Sequence, residues 1–183
     1  MPNDARRWLW ILLLTAASVF VTLGMACATP FAALAALAAL HMSRRDGLAL
    51  VGIAWLADQA VGYGLLQYPR TAGSVAWGVI LGVAAVVALL AARVLAERLR
   101  ARGLLGAGAA AFAGAFVAYQ AVLVASTATL PSGAEALSLP VVGWVLRVNL
   151  LSLAGLLILY RLAVWIGLVT REPLATRATV AAG

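Results

Sequence analysis

The sequence predicts an all-α membrane protein, a compact bundle of six transmembrane helices with cytoplasmic N- and C-termini, and three observations carry that reading. Of its 183 residues, 65% are hydrophobic and 10% charged, an apolar fraction well beyond that of soluble domains. Apolar runs recur along the chain between short polar connections, most of them long enough to cross a bilayer. All 13 basic residues are arginines, and they gather in alternate connections, the pattern that orients a membrane protein. The net charge of +7 is spread over those connections rather than collected on a soluble face, which argues against nucleic acid as a partner. A single cysteine, Cys27, leaves neither an internal disulfide nor a multi-cysteine zinc site, and the lone His41 provides no metal cluster.

Arg6 and Arg7 precede Trp8 and Trp10, a basic flank with aromatic anchors that places the amino terminus inside. The first apolar run, residues 8–28, is about 30 Å long as a helix, enough to cross, and is expected to be a retained span rather than a cleaved leader. Pro30 lacks an N–H and should break the helix near Thr29. Residues 30–42 then form a short helix of about 20 Å. Because Arg44 and Arg45 also belong inside, the chain must reverse near Pro30, and the short second helix is expected to be buried against its neighbours. Gly24, Ala28, Ala32 and Ala36 recur every four residues, a spacing that suits close helix contact in lipid.

The third run opens at Gly47 and carries Asp58 and Gln59 about 16 Å from the inner boundary. A carboxyl at that depth is a functional-site hypothesis by default, set against a structural ion pair or an early helix end. Gly62, Tyr63, Gly64, Gln67, Tyr68, Pro69 and Arg70 follow as an outer loop of turn formers and aromatics. The fourth helix, residues 74–92, presents Gly78 and Gly82 as a close-packing face. Arg93, Arg98, Arg100 and Arg102 make the most basic connection and return the chain to the cytoplasm. The fifth helix, residues 104–128, carries small residues at Gly106, Ala110, Gly114 and Ala118 and reaches Tyr119 and Gln120 in its outer third. The sixth, residues 141–169, follows Pro140, a residue suited to a helix start, and bears Trp144, Arg147 and Asn149 toward its outer end. Residues 1–170 thus form one domain, and residues 171–183 a mobile cytoplasmic tail.

By depth, Cys27, Asp58, Gln59, Tyr63, Tyr68, Arg70, Gln120, Arg147 and Asn149 all fall toward the outer half. They define a candidate substrate pocket, apolar in the main with a few polar groups. Shared depth does not establish shared azimuth. Cys27 also reads as a small buried hydrophobe. An intramembrane enzyme finds no support, since no histidine base, paired carboxylates or metal motif accompanies Cys27 or Asp58. A structural or assembly protein whose small-residue faces serve packing alone is the remaining alternative.

The architecture resembles the substrate-binding S-components of energy-coupling-factor (ECF) vitamin transporters. The likeness lies in six short helices in under two hundred residues, both termini inside, AxxxA spacing at Ala28, Ala32 and Ala36, and ligand groups in the first, third and fifth loops. Within them it is most similar to the solitary cobalamin transporters of Gram-negative bacteria, the BtuM type. The resemblance implies a multi-pass inner-membrane protein that takes up a vitamin, cobalamin first among them, in an outward-facing pocket, with another vitamin or a metal as the alternative cargo. It implies no intrinsic cofactor, and Cys27 as the axial ligand to the cobalt of the transported cobalamin, a role open to a soft thiolate. Tyr63 and Tyr68 would pack on the macrocycle, and Arg70 or Arg147 would meet its amides or phosphate. The chain carries no P-loop, so ATP-driven energy would come from the ECF energising subunits, a transmembrane T-component and ATPases, unless the protein acts alone.

Overall fold

In a computed structural model that describes residues 3–25, 29–130, 133, 135 and 137–169, the chain folds into six α-helices, and no strand is present among the described residues. They are α1 (Asn3–Gly24), α2 (Phe31–His41), α3 (Arg44–Gly64), α4 (Ala72–Arg98), α5 (Gly103–Ser126) and α6 (Leu139–Trp165), with a 3₁₀ turn, Arg100–Arg102, joining α4 to α5. Four of them, α1, α4, α5 with its preceding turn, and α6, are long and apolar enough to cross a membrane. The 21-residue α3 has the length but carries Asp58 and Gln59 in its second half. At 11 residues, α2 spans only about 16 Å, roughly half the thickness of a bilayer's hydrocarbon core.

The bundle is built around that short helix. Every residue from Phe31 to Leu40 is buried, because α3, α4, α5 and α6 all pack on α2. The alanine–leucine repeat explains how this is possible: alanines let neighbouring backbones come close, and leucines fill the spaces left between them. The small-residue spacing is not one continuous face. Gly24 is exposed at the end of α1 while Ala32 and Ala36 are interior residues of α2, and Ala28 lies outside the described residues.

Contacts remote in sequence establish which helix ends share a side. Arg7 Nε lies 3.3 Å from Asp46 Oδ1, joining the starts of α1 and α3. His41, at the end of α2, stacks on Tyr160 near the end of α6 with ring centroids 3.9 Å apart, and Trp10 of α1 meets the same tyrosine at 6.3 Å. The beginning of α1 and the end of α2 are therefore neighbours, so the chain does reverse between them. This is the arginine-rich end of the bundle.

Helix boundaries depart from the sequence expectation where capping decides them. α3 starts at Arg44 rather than Gly47 because the Ser43 hydroxyl accepts from Asp46 N at 3.1 Å and donates to Asp46 Oδ2 at 2.8 Å, pairing an N-cap with an acid three residues on. α4 starts at Ala72 because the Thr71 hydroxyl accepts from Ser74 N. It then continues to Arg98, so Arg93 and Arg98 are helical residues rather than part of the loop. The glycines of α4 do mark close approach: a Cβ at Gly82 would lie 2.9 Å from the Trp55 ring, and one at Gly78 would meet the Gln59 amide.

Candidate functional site

At the end of the bundle away from the arginines, five polar residues from different elements collect around the start of α2. The geometry begins with Pro30, the N-cap of α2. Leu34 N donates to Pro30 O at 3.0 Å and closes the first turn, which leaves the amides of Ala32 and Ala33 without intrahelical acceptors. Asn149 of α6 supplies one. Its Oδ1 accepts from Ala32 N at 3.1 Å and from Ala33 N at 3.2 Å, while its Nδ2 donates to Thr29 O at 3.2 Å and Val145 O at 3.0 Å. Asn149 is 1% exposed and uses both ends of its amide, so it caps α2 across the chain and ties down the segment entering it.

Beside this cap lies Tyr119 of α5, buried, with its ring 6.1 Å from Phe31 and its phenol next to the Thr29 side chain. Tyr119 is also close enough to sense the charge of Asp58 on α3. Asp58 is 9% exposed, and the side chain of Thr22, 3% exposed, reaches it from α1. Neither Asp58 Oδ1 nor Thr22 Oγ1 completes a hydrogen bond within the chain. Thr22, Asp58, Thr29, Tyr119 and Asn149 therefore bring α1, the segment before α2, α3, α5 and α6 together at one place.

The residues singled out from the sequence divide into groups. Asp58 and Asn149 belong to this interior cluster. Gln59 and Tyr63 instead build the contact between α3 and α4, the Tyr63 hydroxyl lying 3.1 Å from Ser74 Oγ, while Tyr68 folds back on the end of α3, meeting Tyr63 edge to face at 6.1 Å and covering Gly62, where a Cβ would sit 2.6 Å from its ring. The neighbouring Trp55 Nε1 donates to Gly78 O at 2.8 Å. Gln120 is half-buried, and Arg70 and Arg147 are exposed, Arg147 on the outer face of α6 rather than inside the bundle. Cys27 and the 170–183 tail lie outside the described residues.

Thr22, Thr29 and Tyr119 are the members that sequence reasoning did not count as site residues, although it placed Tyr119 in the outer third of its helix. Tyr119 had a signal. The buried face of α5 runs through Ala107, Ala111, Ala115 and Tyr119, a four-residue ladder that places Tyr119 inward and Gln120, about 100° further round, to the side. The stripe at Gly106, Ala110, Gly114 and Ala118 is only half-buried, although a Cβ at Gly114 would overlap Leu95 of α4.

Two apolar grooves open on the bundle. One of about 500 Å³ runs between α1 and α6, past Leu13, Phe20, Leu151 and Leu159, and reaches Pro30 and Val148 beside the Asn149 cap. The other, of about 470 Å³, lies between α3 and α4 beside Trp55 and Gly82. Among the described residues, Asp58, Gln59, Tyr63, Tyr68, Arg70, Gln120, Arg147 and Asn149 line neither. Compared with known proteins, the chain matches no family model, no curated protein and no solved structure.

Proposed function

We propose that the chain is an S-component-like uptake protein of the inner membrane, both termini in the cytoplasm and six helices in the bilayer, which receives a vitamin, cobalamin, at the arginine-poor end of the bundle. One observation carries the reading: the backbone is interrupted between α1 and a half-depth α2, and polar side chains from several elements gather around that interruption inside an apolar bundle. Irregular backbone at membrane depth is tolerated where it is buried in protein or lines a cavity, and transport proteins place solute sites at the ends of such discontinuous helices. Cys27 falls in sequence between Met25 and Thr29, where its thiolate would serve as the axial ligand to cobalt. The chain would work alone or with ECF energising subunits.

The test is to purify the protein from cells grown with cobalamin and record its absorbance. A corrinoid spectrum that accompanies the protein, and changes with Cys27→Ser while some ligand is retained through other contacts, is the expected result. Protein that retains no corrinoid at all would remove the vitamin assignment and leave a structural or assembly role. An unchanged spectrum in Cys27→Ser would remove only the ligand role of the thiol.

A further inference from the structure

Asp58 is a buried carboxyl for which the described residues supply no cation. Among the described residues its charge is met by no arginine: the ion pairs of the bundle join Arg7 to Asp4 and to Asp46, and Asp46 is twelve residues away on the same helix, about 18 Å. The charged groups on the elements around it lie at the far end of the bundle or on its surface, Arg70 in the exposed loop after α3 among the latter. α1 presents Thr22, its Asp4, Arg6 and Arg7 being at the far end; α2 carries only His41, also at the far end; and Glu97, Arg93 and Arg98 of α4 lie at the arginine-rich end. Among the described residues, Tyr119 of α5 is a titratable side chain near enough to sense its charge. On α6, Arg147 is exposed on the outer surface, and Arg161 lies beside Tyr160 at the arginine-rich end.

An isolated carboxylate removed from water is so costly that the group takes up a proton instead. The oxygen count among the described residues also disfavours a metal ion. Hard cations gather about six oxygens or more, but the side-chain oxygens around Asp58 are its own and those of Thr22, Thr29 and Tyr119, and the Thr29 carbonyl and the Asn149 amide oxygen are already engaged in the cap of α2. No group of three metal-binding side chains occurs among the described residues. A proton needs one oxygen, and Asp58 Oδ1 has no other partner.

We infer that Asp58, with Thr22 and Tyr119 beside it, is a proton-binding site in the interior of the bundle. The carboxylate takes one proton from water at the arginine-poor end and becomes a neutral acid whose O–H lies toward the Thr22 hydroxyl. Release returns the proton to water and leaves the charge exposed, which requires the contact between α1 and α3 to open. Proton occupancy is thereby linked to the packing of α1. Its use as a driving ion, in a chain without a P-loop, rests on the uptake reading above.

The experiment is infrared spectroscopy of the full chain in lipid vesicles, without any vitamin, titrated from alkaline to acidic pH in H₂O and in D₂O. The expected result is a carboxylic-acid carbonyl band that is sensitive to deuterium, lost in Asp58→Asn and displaced in frequency in Thr22→Val. Asp58→Glu, which keeps the acid if the amide variant fails to fold, should retain a band at a shifted frequency. The absence of the band in wild type across the titration overturns the inference, as does a band that survives Asp58→Asn unaltered. A band that is suppressed when sodium replaces potassium at constant pH also overturns it, in favour of a metal-cation site. Since no vitamin enters the measurement, failure of the uptake reading and failure of the proton site register separately.

Discussion

Asn149 shows how much one interior side chain can hold. Its amide serves two N–H groups of α2 and the carbonyl of Thr29, and each would be buried without a partner if the side chain were removed. Leaving a buried polar group unsatisfied costs about 1–3 kcal/mol. Asn149→Ala should therefore lower stability by about 3 kcal/mol, read as a fall in the thermal unfolding midpoint in detergent, whereas Leu150→Ala on the exposed side of α6 should barely move it. Equal stability of the two variants would mean that the start of α2 finds other acceptors. Asn149 reads from sequence as a ligand group because a polar residue in an apolar helix marks a partner without naming it; here the partners include backbone 117 residues away.

At the scale of an element, α2 is a short helix held at both ends by side chains of other helices. Arg93 of α4 performs at the carboxyl end what Asn149 performs at the amino end. Its Nη2 lies 2.7 Å from Ser43 O, 3.0 Å from Met42 O and 3.4 Å from Ala38 O, so a positive charge faces the negative end of the helix dipole. Gly47 makes room, since a Cβ there would stand 2.8 Å from that nitrogen. Between the two caps Ala36 is wholly buried. Ala36→Leu is thus expected to overpack the core and cost about 3 kcal/mol, the upper part of the range for such insertions. The loss should appear as reduced yield of folded protein and a lower unfolding midpoint. Wild-type stability in that variant would place Ala36 against lipid or a removable partner instead of the bundle's own helices.

For the whole molecule, the two ends differ in kind. Arg7, Arg93 and Tyr160 mark one end, where α1 and α3 begin and α2 and α6 finish; Asp58, Tyr119 and Asn149 mark the other. In the orientation proposed above, which follows the positive-inside rule, the arginine end would face the cytoplasm. Thiols introduced at exposed positions, Ala72→Cys near the arginine-poor end and Ala101→Cys at the basic turn, each in a Cys27→Ala background, should then react with impermeant reagents from opposite sides, Ala72→Cys from outside. The reverse pattern would invert the orientation and place the polar cluster toward the cytoplasm.

The membrane class, the break at Pro30, the brevity of the second helix and the close approach at Gly78 and Gly82 are all present in the sequence. They depend on composition, on a missing N–H and on small side chains, which are properties of residues and their near neighbours. The apolar run alone starts α3 at Gly47 instead of Arg44, because that expectation overlooks the Ser43–Asp46 cap. Tertiary structure alone decided what surrounds α2, because a helix that is apolar on every face gives its periodicity no direction. It also decided that Asp58 lies inward with Thr22 of α1 next to it while the adjacent Gln59 meets Gly78 of α4, since depth along a helix follows from counting residues but azimuth is settled by which neighbour packs there. For the same reason Arg93 became a cap, Arg147 an outward-facing residue, and Tyr119 rather than Gln120 an interior one.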